Sequence, residues 1–62
     1  PMTQSETEDY LLKRGWSYRL TRDVWMSRRD PFTSYTLKSA VAFQKINDVV
    51  NGRLEEQRAR AV

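Results

Sequence analysis

The chain has 62 residues, no Cys and no His, and a formal charge of +3 from eleven cations and eight acids. A chain this short buries only about 60% of its unfolded surface, so it makes a single small domain, 1–62, stabilised by a few large side chains. The missing His and Cys exclude the commonest general base, the strongest nucleophile and the usual transition-metal ligands, and the two glycines, Gly15 and Gly52, make no phosphate loop. The expectation is a non-enzymatic binding module with no metal and no cofactor. No apolar run approaches the roughly 20 residues that cross a bilayer. No signal-peptide pattern opens the chain, and Pro1 before Met2 reads as a tag remnant, so a cytoplasmic protein is expected.

Residues 5–14 read as a helix. Ser5 and Glu8 have capping-box spacing, and Glu6, Glu8 and Asp9 suit the positive end of the helix dipole. That role accounts for the carboxylates without catalysis. Lys13 and Arg14 fall in the last turn, and Gly15 stands where a left-handed stop belongs.

The period then changes. Trp16, Tyr18 and Leu20 alternate with Ser17, Arg19 and Thr21, which predicts a strand over 16–21. Arg22-Asp23 turns the chain, and 24–29 returns as a second strand. Asp30-Pro31 marks another turn, because the residue before Pro is pushed out of the helical region. Phe32 to Tyr35 is a candidate for a short third strand. If the first turn sets Leu20 opposite Trp25, then Trp16, Tyr18, Leu20 and Trp25 share the buried face, and Arg19, Met26 and Arg28 show on the other. A one-residue slip would exchange the faces. The first register is preferred, because it buries both Trp residues.

From Thr36 the spacing is helical, with Leu37, Ala40, Val41, Phe43, Ile46, Val49 and Val50 predicting a helix over 36–51 packed on the sheet. Its apolar residues lie on two sides, one for the sheet and one for a second partner. Asn51-Gly52 is a plausible stop, and 53–62 is then either a helical extension or a frayed tail. The fold class is α+β: an N-terminal helix, an antiparallel hairpin with a candidate third strand, and a C-terminal helix.

Charge is concentrated in the middle. Lys13, Arg14, Arg19, Arg22, Arg28 and Arg29 face Asp23 alone over residues 13–29, and Arg outnumbers Lys in the whole chain. Arg makes planar, two-pronged contacts to phosphate, and cations interleaved with aromatic rings suit phosphate contact plus base stacking. These six cations are the candidate nucleic-acid contacts. The rings themselves are better assigned to the core, since so short a chain needs them inside.

The run from Gly15-Trp16 through an Arg-bearing hairpin to Trp25-Met26-Ser27-Arg28-Arg29-Asp30-Pro31, followed by Tyr35-Thr36 and Ser39-Ala40-Val41-Ala42-Phe43, resembles a group of small DNA-binding domains. These are the methyl-CpG-binding, plant AP2-type and phage integrase arm-binding domains. The resemblance implies a three-stranded sheet on one helix, laid in the DNA major groove, with Arg19, Arg22 and Arg28 facing DNA. The same pattern is similar to small phage and bacterial open reading frames of no assigned function. A protein-interaction module is the alternative expectation: a small phage or bacterial regulator that binds an acidic protein surface, or a homodimer formed through Ile46, Val50 and Leu54. Arg, Trp, Tyr and Met serve interfaces equally well.

Overall fold

A computed structural model describes residues 1–61; the last expected position, Val62, lies outside them. The elements are α1 (Gln4–Lys13), β1 (Trp16–Arg19), β2 (Val24–Ser27), β3 (Asp30–Tyr35) and α2 (Leu37–Arg60). The strands form one antiparallel sheet in the order β1-β2-β3. This is the expected α+β arrangement, with the third strand present.

The first helix starts earlier than 5–14 and uses a different cap. Thr3 and Glu6 share the capping-box spacing of Ser5 and Glu8, and it is Thr3 that closes the box. Its Oγ1 accepts the Glu6 N–H at 3.1 Å, and Glu6 Oε1 accepts the Thr3 N–H at 3.1 Å. That start places Gln4 inside the helix, one turn before Glu8, where its side-chain amide donates to the Glu8 carboxylate at 3.2 Å. The bond from the Thr3 backbone N–H also holds the Glu6 carboxyl below its ordinary value. At the other end Gly15 has φ +89 and donates its N–H to the Leu12 carbonyl at 3.2 Å. This is the left-handed stop expected of it.

Both strands of the hairpin are shorter than 16–21 and 24–29. The two-residue turn that best matches strand twist would put both Arg22 and Asp23 at positive φ. A four-residue loop, 20–23, needs only one, and Asp23 takes it at φ 53, a conformation that Asp tolerates. Arg22 N–H donates to the Arg19 carbonyl at 3.2 Å, and the Tyr18 hydroxyl donates to Asp23 Oδ1 at 2.7 Å, bracing the loop. Leu20 therefore leaves the sheet, and Tyr18 rather than Leu20 stands opposite Trp25. The pairing differs from the expected one by two residues, an even step, so the faces are unchanged. Trp16, Tyr18, Trp25 and Ser27 share one face; Ser17, Arg19, Val24 and Met26 share the other.

The second turn sits at Arg28-Arg29, not Asp30-Pro31. Ser27 Oγ accepts the Arg29 N–H at 3.2 Å, a side-chain turn that reverses the chain two residues early and pairs Ser27 with Asp30. Pro31 then falls within β3, which it can do because β3 is an edge strand and the β2–β3 ladder shifts register between Ser27 and Trp25.

The core is small. Leu11, Trp16, Trp25 and Ala40 are buried, with Tyr10, Tyr35, Leu37 and Val41 packed around them. Trp16 meets the edge of Tyr35 at 5.3 Å between centroids, and Tyr18 tilts against Trp25 at 5.2 Å. Ala40, with no side chain beyond Cβ, lets α2 approach the sheet closely. Phe32 is 94% exposed on the edge strand, and Phe43 is 41% exposed.

Thr36 caps α2 by accepting the Ser39 N–H at 3.1 Å. The helix does not stop at Asn51 but runs to Arg60, so the 53–62 segment is the helical extension as far as it is described. A Cβ added at Gly52 would meet nothing within 4 Å, and the glycine costs only about 1 kcal/mol in a helix. The strong helix formers after it, with an Arg60–Glu56 ion pair at 3.0 Å, carry the helix on. Among the described residues no helix is both long and apolar enough to cross a membrane.

Candidate nucleic-acid interface

Two kinds of surface border the sheet. The face carrying Trp16, Tyr18 and Trp25 is closed by the helices. The face carrying Ser17, Arg19, Val24 and Met26 has no helix over it, and Ser17 and Arg19 are exposed. Arg19 and Arg28 line a shallow hollow of about 330 Å³ that opens from this face toward the end of α1, with Leu12, Met26 and Pro31 in its wall. Arg22 lies in the β1–β2 loop, and Arg28 and Arg29 form the β2–β3 turn, at opposite ends of a hairpin about 10 Å long.

A larger cleft, about 550 Å³, opens where the end of α1, the Arg28-Arg29 turn and the middle of α2 meet. Lys13, Arg14, Arg28 and Arg29 line it, facing Asn47 and Asn51 of α2. Gly15 stands beside Arg28 at the edge of this cleft, and its φ of +89 turns the chain from α1 into β1 there. The structure thus brings four of the six candidate cations around one cleft, links Arg19 to it through Arg28, and leaves Arg22 apart.

The six differ in how they are partnered. Lys13 Nζ pairs with Asp9 at 2.9 Å. Arg14 Nε pairs with Asp48 at 3.2 Å, its guanidinium lies 3.9 Å above the Tyr10 ring, and it donates to the Tyr10 carbonyl at 3.3 Å. Among the described residues, Arg19, Arg22, Arg28 and Arg29 make no ion pair with any acid. Arg14 is therefore committed to joining α1 to α2, Lys13 is paired within α1, and Arg19, Arg22, Arg28 and Arg29 are the available charge.

Asp48 is the hub beneath the cleft. It accepts hydrogen bonds from the Tyr10 hydroxyl and, at 2.8 Å, from Gln44, whose own carbonyl accepts the Trp16 indole N–H at 2.8 Å. The Tyr10 bond, with help from Gln44 and from Arg14, holds the Asp48 carboxyl below its ordinary value against the effect of burial. Burial, and then Asp48 itself, push the Tyr10 hydroxyl up. The network ties α1, β1 and α2 together and fixes the floor on which the arginines sit.

Residue-by-residue reading of the sequence missed two members of this surface. Asn47 and Asn51 are one helical turn apart on α2, and their spacing with Gln44 was the available signal for a polar wall. Phe32 follows Pro31 on an edge strand, a place where a ring need not be buried. The assignment of Trp16 and Trp25 to the core is correct, at 3% and 4% exposure. No protein-family model, curated protein or solved structure matches the chain.

Proposed function

We propose that this protein is a non-enzymatic, DNA-binding module that lays the open face of its sheet against duplex DNA. The observation that carries this reading is the set of four exposed arginines without acidic partners, Arg19, Arg22, Arg28 and Arg29, on the open face and at both its turns. A spread of about 10 Å along the hairpin spans roughly three phosphates of one strand, at 3.4 Å of helix axis each. Phosphate contacts of this kind position a protein, and base edges supply sequence choice. Arg19, exposed on the open face, is the group available for the second task.

The test is fluorescence anisotropy of a labelled random duplex, at about 50 and then about 200 mM salt. Four neutralised phosphates give a loss of roughly two decades in affinity over that range. Arg19→Ala with Arg28→Ala abolishes the signal, whereas Arg53→Ala with Arg58→Ala, which removes the same charge from α2, leaves most of it. Absence of binding at low salt and high micromolar protein ends the DNA reading. The alternative, binding to an acidic protein surface, calls on the same arginines. Self-association calls on a different surface, the outer side of α2, and is compatible with DNA binding.

A further inference from the structure

We infer that the cleft between the end of α1, the Arg28-Arg29 turn and α2 binds one doubly charged phosphate group, of the kind that ends a nucleotide or a nucleic-acid strand. The site does not rest on the DNA reading, which uses the open face of the sheet. Arg28 is the one charged side chain common to both hollows.

The size suits a small ligand. At about 550 Å³ the cleft falls in the range of roughly 300–1,000 Å³ that such sites occupy. No aromatic ring lines it and Leu12 is its one apolar side chain, so nothing there stacks on a base or holds an apolar group. The rest of the lining is charged or polar.

The charges select an anion and set how much charge it carries. Lys13, Arg14, Arg28 and Arg29 line the cleft against one acid, Asp48. Asp48 is already engaged: Oδ1 accepts from Gln44 at 2.8 Å, and Oδ2 faces the Tyr10 hydroxyl and, at 3.2 Å, Arg14. Lys13 is matched by Asp9 at 2.9 Å. Asp30, next to Arg29 in sequence, pairs with Ser27 in the ladder and does not line the cleft. That leaves the guanidinium groups of Arg28 and Arg29, which have no ion pair among the described residues. Their combined charge matches that of a phosphate monoester near neutral pH, about −1.5 to −2. A backbone phosphodiester brings only a single charge to the same pair.

The opposite wall supplies neutral donors. At 100° per residue Gln44, Asn47, Asp48 and Asn51 fall within an arc of about 100°, so both asparagines share the face of α2 that carries the Asp48 network. Gln44 makes two side-chain hydrogen bonds, whereas neither asparagine side chain makes one among the described residues. Each carboxamide offers two N–H donors, and guanidinium forks make paired bonds to phosphate oxygens. The Arg29 N–H bond to Ser27 Oγ at 3.2 Å braces the turn, and Asp48 braces the floor, so both walls are set before a ligand arrives.

The test is a titration with inorganic phosphate at constant ionic strength, followed through backbone amide shifts by NMR. Saturation should fall on the order of 1 mM, the scale of a few charge-assisted bonds open to water, with the largest shifts at residues 27–29 and 47–51. No His lines the cleft and Asp48 is held below its ordinary value, so between pH 5 and 8 the dependence reports the ligand's own second ionisation, near 6. Phosphate should therefore bind roughly tenfold more weakly at pH 5 than at pH 7.5. Sulfate, doubly charged throughout, should not change. Arg28→Ala with Arg29→Ala should weaken phosphate by roughly tenfold or more, as should Asn47→Asp, which sets a carboxylate opposite the turn. Arg53→Ala with Arg58→Ala should leave it as it is. An unchanged near-ultraviolet spectrum from the buried Trp16 and Trp25 shows that each variant is folded. Shifts spread evenly over Arg19 and Arg22 as well, no saturation at tens of millimolar, or full binding by the Arg28→Ala, Arg29→Ala variant each overturn the proposal. A short single strand with and without a terminal phosphate separates the two sources. A gain from that phosphate which Arg29→Ala removes identifies a strand end; equal binding of both strands, with inorganic phosphate bound, identifies a free phosphate compound. The phosphate titration contains no nucleic acid, so it can fail while duplex binding stands, and the reverse.

Discussion

Asp48 shows how much a single side chain can organise in a chain with so small a core. It receives the Tyr10 hydroxyl, the Gln44 amide and the Arg14 guanidinium, and so joins α1 to α2 directly and β1 to both through Trp16. Its pKa is depressed in the folded chain, so its contribution is present above the ordinary value of 3.8 and is lost as pH falls through the folded value. The raised pKa of Tyr10 acts oppositely: its contribution is present below the ordinary value of 10.0 and is lost as pH rises through the folded value. Thermal midpoints should therefore be level through neutral pH and fall at both extremes. Glu6, also lowered, adds to the acid side, and Tyr18, raised mainly by its bond to Asp23, adds to the alkaline side. Asp48→Asn should lower the midpoint at pH 7 and shallow the acid fall without removing it, as circular dichroism melts at pH 2.5, 4 and 7 would show. Gly15 poses a different single-residue case. Its surroundings have room for a Cβ, but φ +89 does not suit one. Gly15→Ala should cost about 1–2 kcal/mol in urea unfolding, and Gly15→Asn distinctly less, because Asn enters the left-handed region more readily.

At the scale of elements, the helices and the hairpin were legible because each has its own period, and the errors fell at ends. Alternation from Trp16 to Leu20 is a true strand signal. It does not reveal that Leu20 has moved into a four-residue loop, since a turn residue can keep the alternation by chance. Nor does Asp30-Pro31 announce its place: the residue before Pro is extended in a turn and in a strand alike, and the Ser27 side chain decided between them. For α2 the sequence carried two opposed signals, the stop at Asn51-Gly52 and the propensity of 53–60. The second prevails, since one glycine costs less than the following turns return. Gly52→Ala should accordingly stabilise the chain by up to about 1 kcal/mol and raise helical ellipticity at 222 nm. A loss of ellipticity would mean that Gly52 is needed as a stop.

At the scale of the whole molecule, the candidate site was legible as a charge pattern but not as a shape. Six cations could be named from composition; which of them are free could not, because that depends on Asp48 lying 34 residues after Arg14 in sequence and 3.2 Å from it in space. The parity of the hairpin register was the one deduction that placed Arg19 and both Trp residues on opposite faces, and it survived a two-residue error in the turn. The strand order has a further consequence, for the route by which the chain folds. Every strand pairs with its neighbour in sequence, so the sheet needs only short loops to close, and such local topologies form quickly. The Tyr10–Asp48 contact instead closes across 38 residues, after the elements between them exist. The clasp that holds the arginine-bearing end together is thus expected to form late on the way to the native state. Weakening it should hasten unfolding while leaving the folding rate almost untouched.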